Sequence, residues 1–336
     1  MSSDQIPRTM KAVFITEHGD PLDVVKYGDI EVPTITDDQI LVKNKYGGIN
    51  FYDSYVRKGI FDFGVPCTLG VEGAGEIVAL GKNVEEYAVG DIVAYSQMGA
   101  FAEYTKIEKT NVMIFKIPEG TAEEKIKIYA GIFSQGLTAL SFVNEAYKVQ
   151  KEQFALVHAA AGGVGLFLTQ LLRNEGARVI ATASSAEKLE VARKAGAEFL
   201  INYRTDSISE KVSEFTHGKG VDVLYDGVGK AVFEESLKSM ALKGTFINYG
   251  DASGPCPPLN LAALTPQNIK IMRPSLFNYV RTTEKWDYYT KWLLQLVEAG
   301  EIETEITATF PLSEYKKAAQ TLEGRTSTGK VMLSIP

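Results

Sequence analysis

The stretch LVHAAAGGVGLFLTQLL, residues 156–172, decides how the chain is read. A loop that cradles the pyrophosphate of a dinucleotide follows G-x-G-x-x-G, between a buried strand and a helix. Here Ala160, Gly162 and Gly165 hold the three places, with Gly163 and Val164 between the last two. Phe154-Ala155-Leu156-Val157 supplies the apolar strand, and the run from Val164 to Leu172 has the length and apolar richness of a helix packed on a sheet. Gly162 lets the backbone approach the pyrophosphate, Gly165 lets the helix pack on the strand, and the helix N-terminus faces the negative charge. Ala at the first place costs little where φ is negative. Tight turns of small residues also occur without a dinucleotide, so the flanking units carry the reading.

From Gln153 onward strands and helices alternate: FALVHA, the loop helix, RVIATA, SAEKLEVARKAG, EFLIN, SISEKVSEFT, VDVLYDGV, AVFEESLKSM, GTFINYG and NIKIMRP. Six strands with crossover helices between most of them predict an α/β fold with a doubly wound parallel sheet. Upstream, KAVFIT, ILVKNKY, GEIVALG, GDIVAYS and FAEYTKI are short β-type runs broken by Gly, Asp and Pro. They predict an antiparallel, barrel-like domain. The tail holds a helix-like WDYYTKWLLQLVEAG, a second helical stretch from Ser313 to Glu323, and a last strand KVMLSI. Periodicity leaves open which domain the tail caps. At 336 residues, two domains are the default.

The formal net charge of −7 describes a chain that repels polyanions, which makes nucleic acid a weak expectation. Cys67 and Cys256 are the only cysteines, too few for a disulfide framework and suited to a reducing compartment. No apolar run approaches the roughly 20 residues of a membrane span, and MSSDQIPRTMK lacks the apolar core of a signal peptide. The expectation is a cytoplasmic enzyme with no membrane partner.

The second strand of the alternating region selects the form of the cofactor. An NAD-type loop has Asp or Glu about 20 residues on, where it accepts the ribose hydroxyls. Ala183, Ser184 and Ser185 stand there instead, so no carboxylate repels a 2′-phosphate. Lys188 lies one helical turn further, and Tyr203 of INYR ends the third strand. Most helix lysines are simply solvated, so the missing acid is the stronger half of the case for NADPH. Asp226-Gly227-Val228-Gly229 ends the fourth strand and Gly250-Asp251 the fifth. Both belong at the carboxyl edge of the sheet, where a dinucleotide lies.

GGINFYDSYVRKG (47–59), TLGVEGAGEIVALG (68–81), SQGLTAL (134–140), HAAAGGVG (158–165), INYR (201–204), YDGVG (225–229), MRPSL (272–276) and GRTSTGK (324–330) together carry a resemblance. With them the chain resembles the medium-chain dehydrogenase/reductases, and among these the zeta-crystallin-like NADPH:quinone oxidoreductases. The likeness covers nearly the whole chain. It implies a GroES-like β-barrel substrate domain from residues 1–132 and 276–336 and a Rossmann NADP-binding domain over 133–275. It also implies a cofactor in the cleft and a homodimer through the Rossmann edge strand. By motif position it puts Ser184, Lys188, Tyr203, Phe277 and Arg325 among the NADP contacts, and Asn50, Tyr55 and Gln135 at the substrate.

Zinc-dependent alcohol dehydrogenases of the same superfamily are the rival. Their catalytic ligand places hold Asn50, Val71 and Gly131 here, and none of these is a zinc ligand. Two cysteines cannot build a four-Cys structural site either. Glu72 remains from the rival's motif, while His18, His158 and His217 do not replace the missing ligands, and His158 reads as a structural residue ending a buried strand. The expected metal content is none. A metal-free site requires an electrophile that is already activated, which quinones and α,β-unsaturated carbonyls are. Asn50, Tyr55 and Gln135 are the candidates to contact the substrate oxygen as hydride arrives. Each also has a plain structural reading: a turn, packing among 16 tyrosines, and a helix cap. Asp53 and Arg57 are expected to form a structural ion pair. An alkenal/enone reductase shares every motif, and zeta-crystallin relatives include AU-rich RNA binders, a role that the net acidity opposes.

Overall fold

The computed structural model describes residues 6–324 and 327–336. The chain divides into two compact units. The first runs to Ser134 and takes back Val280–Thr290 and the residues from Glu305 onward; the second is Gln135–Tyr279 with Lys291–Thr304.

The second unit is built on a six-stranded sheet. Its spatial order is Phe199–Asn202, Arg178–Ala183, Phe154–Val157, Val221–Asp226, Met240–Asn248 and Lys270–Met272. In sequence order these are the third, second, first, fourth, fifth and sixth strands, and every neighbouring pair is parallel. That is the doubly wound arrangement expected from the alternating pattern, with its switch point between the first and fourth strands. Leu156, Ile180, Ile201, Leu224 and Phe246 form its buried centre. The helices Gly163–Asn174, Ala186–Lys194, Ile208–Phe215 and Phe233–Lys238 fall between the strands. Ser185 and Ser207 start two of them, each hydroxyl accepting a backbone N–H from three residues on.

The first unit has a seven-stranded sheet in which Lys330–Ser334 lies between Ile306–Pro311 and Gln39–Gly48. Beyond Gln39–Gly48 come Glu72–Leu80, Ile92–Ser96 and Ile114–Lys116, and Tyr104–Glu108 also pairs with Gln39–Gly48. The pairings are antiparallel, as the broken β runs predict, except that the two tail strands run parallel to each other. A three-stranded sheet adds Val25–Glu31, Thr9–Ile15 and Cys67–Thr68. Val13, Ile40, Val42, Ile77, Val93, Phe101, Val331 and Leu333 share one buried cluster. The last strand of the chain thus completes the sheet that the first hundred residues begin.

Two helices do not follow from the run-by-run reading. Phe51–Arg57 is short. Glu123–Ser141 belongs to a helical stretch, Glu123–Ala146, long and apolar enough in composition to cross a bilayer, yet Ile132, Phe133, Leu137 and Leu140 are fully buried inside the protein. A helix apolar on all sides is a core helix when protein surrounds it.

Candidate active site

The helix Gly163–Asn174 opens at Gly162, whose backbone is extended (φ −81°) and which offers no side chain to cap it. The first N–H groups of a helix have no partner within it, so those of Gly163 and Val164 stand at the end of the sheet ready for an anion. The left-handed residue of the turn is Ala159 (φ 50°), not Ala160. Ala160 is buried and its N–H donates to Thr182 O at 3.1 Å, so alanine at the first motif place is unstrained. A Cβ at Gly165 would overlap the Ala159 carbonyl, which makes glycine obligatory for packing there. At Gly162 a Cβ would stand 3.2 Å from the same oxygen, a mild contact. Glycine at 162 therefore serves the approach of a ligand more than the fold. The loop fits a dinucleotide pyrophosphate. Gln135, buried, packs its carboxamide over Gly163, where any Cβ would overlap it.

Ala183 ends the second strand and pairs with Asn202 at the end of the third. Tyr203 N–H donates to Ala183 O at 3.2 Å, and Ser185 Oγ accepts the Lys188 N–H at 3.4 Å. Strand pairing and the helix cap thus bring Ser184, Lys188 and Tyr203 to one corner, all half-buried and with no carboxylate at the strand end. Arg325 lies outside the described residues.

At the ends of the fourth and fifth strands a polar network shapes the turns. Asp226 Oδ1 accepts the N–H groups of Val228 (2.7 Å) and Gly229 (3.0 Å), and its Oδ2 accepts Asn248 Nδ2 at 3.0 Å. Arg273 donates to Asn248 Oδ1 and to Asp251. Gly227 and Gly250 pass backbone against backbone, since a Cβ at Gly250 would lie 2.8 Å from Gly227 O. Phe277 is half-buried in the short helix Leu276–Tyr279. Arg273 and Asn248 were not singled out by motif; the guanidinium inside MRPSL was the available signal. His158 lies fully buried between Thr182 Oγ1 (3.0 Å) and Ser236 Oγ (2.9 Å), and burial lowers its pKa, as fits a neutral structural imidazole.

In the first unit, Asn50 opens the helix Phe51–Arg57, and its N–H donates to Asp53 Oδ2 at 2.8 Å. Asn50 Nδ2 donates to Gly48 O (3.1 Å) and Glu72 Oε1 (2.8 Å), while Lys330 Nζ donates to Asn50 Oδ1 (2.8 Å) and Glu72 Oε1 (2.6 Å). Glu72 Oε2 accepts the N–H of Ser134 at 2.9 Å. Lys330 and Glu72 are only 2% and 1% exposed. Both amide protons of Asn50 are spent inside the protein, so its carboxamide has none left for a substrate oxygen. Burial pushes the Asp53 carboxyl up to about 7, against the lowering effect of the Asn50 N–H and the Lys330 charge. Asp53 does not pair with Arg57. The fully buried guanidinium of Arg57 instead makes a bidentate contact with Glu323 (2.7 and 3.0 Å), because the helix turns Arg57 toward the tail helix Tyr315–Glu323. Tyr55 meets Phe61 edge-on (5.7 Å) and Tyr52 stacks on Phe61 (4.9 Å), with Phe63 beside them half exposed to solvent. Lys330 escaped the motif reading; a lone lysine opening an otherwise apolar last strand was its signal.

Residues 163–296 match the family model described as zinc-binding dehydrogenase, and residues 36–137 match the alcohol dehydrogenase GroES-like domain. A probable quinone oxidoreductase of Schizosaccharomyces pombe is 37% identical over 93% of this chain and 94% of its own. The crystal structure of Escherichia coli quinone oxidoreductase complexed with NADPH superposes with a TM-score of 0.90 at 32% identity, covering 96% of this chain and 99% of that one. The chain belongs to the quinone oxidoreductases of the medium-chain dehydrogenase/reductase superfamily. A 2-haloacrylate reductase of Burkholderia sp. is similar as well, 33% identical over 96% of this chain and 98% of its own. As a quinone oxidoreductase family member the chain departs from the zinc-binding description in its residues. The places that the resemblance assigns to zinc ligands hold Asn50, Val71 and Gly131, and among the described residues no group of three or more His, Cys, Asp or Glu side chains is placed to hold a metal.

Proposed function

We propose that the chain reduces quinones with NADPH at a metal-free site. The observation that carries the reading is the phosphate loop at Gly162–Gly165 paired with an acid-free strand end at Ala183–Ser185, in a chain of this family. Bound NADPH supplies the hydride. The N–H groups of Gly163 and Val164 hold its pyrophosphate, and Lys188 with Ser184 and Tyr203 receives the 2′-phosphate. The turns at Gly227-Val228 and Gly250-Asp251, with Phe277, complete the cofactor contacts among the described residues. Gln135 packs over the loop and orients what binds there. Tyr52, Tyr55, Phe61 and Phe63 offer an aromatic cluster against which a planar quinone ring can pack, with the Tyr55 hydroxyl as candidate donor to its oxygen. Asn50 acts by positioning rather than by touching the substrate.

The kinship to a 2-haloacrylate reductase favours a second reading, reduction of activated double bonds by the same hydride. Steady-state turnover of a panel of quinones and enones with NADPH and with NADH separates the two. Quinones are expected to give the highest kcat/KM with NADPH; enone turnover above all quinones would transfer the assignment, and preference for NADH would refute the cofactor reading. The proposal extends to a cytoplasmic homodimer. The support for the dimer is the edge strand Lys270–Met272, which exposes Ile271 and ends the sheet without a further partner strand among the described residues. Light scattering giving a monomeric mass would remove it.

A further inference from the structure

We propose that Lys330 is the fixed cation of this site: its ammonium fills the polar pocket beside Glu72 and makes that pocket and a metal ion mutually exclusive. Two glycines line the side chain closely. At Gly48 a Cβ would lie 2.9 Å from Lys330 Cε and 2.8 Å from Glu72 Oε1. At Gly131 it would lie 3.1 Å from Lys330 Cε and 2.5 Å from Met332 Sδ. Gly131 holds a place that the resemblance assigns to a zinc ligand, and a side chain there would press on the lysine stem and more severely on Met332 Sδ. Asn50 stands at another, and one of the two acceptor positions of its Oδ1 is taken by the ammonium. Electrostatics point the same way. A buried carboxylate needs a compensating positive charge, and one lysine at 2.6 Å supplies it to Glu72, with two neutral donors, Asn50 Nδ2 and the Ser134 N–H, beside it. A divalent cation placed beside that ammonium would meet a like charge in a poorly screened interior. Lys330 is therefore a positioning residue, which holds Glu72 and through it Asn50 and Ser134, and it acts whichever electrophile the enzyme reduces.

Two measurements test this. In the first, cobalt(II) is titrated into the triple variant Asn50→Cys, Val71→His, Gly131→Cys, with and without Lys330→Met, and thiolate-to-cobalt absorption is read. Cobalt is expected to bind at least about tenfold more tightly once the lysine is gone, a difference of about 1.4 kcal/mol; equal affinities in the two backgrounds overturn the proposal. The second uses the wild-type frame and stays decisive if the triple variant fails to fold. Thermal midpoints of Lys330→Met, Glu72→Gln and the double variant form a cycle. Each single change leaves a buried charge uncompensated and lowers the midpoint, whereas the double variant is expected to recover most of the loss. Additive losses would show that the two side chains are not a coupled pair, and Lys330 would then be a packing residue.

Discussion

Asp53→Asn replaces the one carboxyl among the described residues of the first unit whose burial shifts it into the neutral range. The folded carboxyl titrates at about 7 against a reference of 3.8, a difference of about 3 units, each unit being about 1.4 kcal/mol. The folded state therefore favours the protonated form by roughly 4 kcal/mol relative to the unfolded chain. The sign follows from proton uptake on folding. Below the unfolded value both states are protonated and the full stability is present; between about 4 and 7 the folded state holds a proton that the unfolded state lacks, so stability is lost as pH rises. Asparagine is neutral throughout, and its carbonyl can accept the Asn50 N–H as the carboxylate does. The stability of wild type relative to Asp53→Asn should fall by about 2 to 3 kcal/mol between pH 5 and pH 8. Amide hydrogen exchange in Glu72–Leu80 and Gln39–Gly48 reports on the first unit by itself, which avoids assuming that both units unfold in one step. Only the slope with pH is read, since the substitution adds its own constant offset. Parallel profiles for the two proteins would refute the reasoning, because they would mean that water reaches Asp53 and relieves its desolvation.

Lys188→Ala is expected to raise the NADPH dissociation constant about tenfold and leave that of NADH unchanged, the loss of one charge-assisted contact to phosphate; equal losses by calorimetry would assign Lys188 to folding. Gly165→Ala should fail to fold or melt far lower, since its Cβ overlaps the Ala159 carbonyl, whereas Gly162→Ala should keep the wild-type melting temperature and lose NADPH affinity. The reverse pattern, or an unaltered affinity at 162, would contradict the division of labour between the two glycines. Tyr55→Phe should lower enone turnover more than quinone turnover, because an enolate is a stronger base than a hydroquinone anion and depends more on a placed donor. Parallel falls in both rates would make Tyr55 a packing residue.

Most of the second unit was legible residue by residue. The alternation of apolar runs with amphipathic stretches, the serines that start helices, and the spacing of Ala160, Gly162 and Gly165 are local patterns, and local patterns dictate strands, helices and a phosphate loop. The absent acid at Ala183 was equally local. By periodicity alone the antiparallel first unit was legible in kind but not in membership. Nothing near Lys330 announces that its strand enters the sheet beside Gln39–Gly48, or that Val280–Thr290 and Lys291–Thr304 fall to different units. The partner of Arg57 was misjudged for the same reason, since Asp53 is near it in the chain while Glu323 reaches it only through packing. The polar cluster is the extreme case. Lys330 lies 280 residues from Asn50 and 258 from Glu72, and no periodicity or spacing connects them. A sequence pattern records what each segment needs from its neighbours along the chain; which distant charge meets a buried carboxylate is settled by strand order and by the tertiary packing that sets Gly48 and Gly131 close against the lysine.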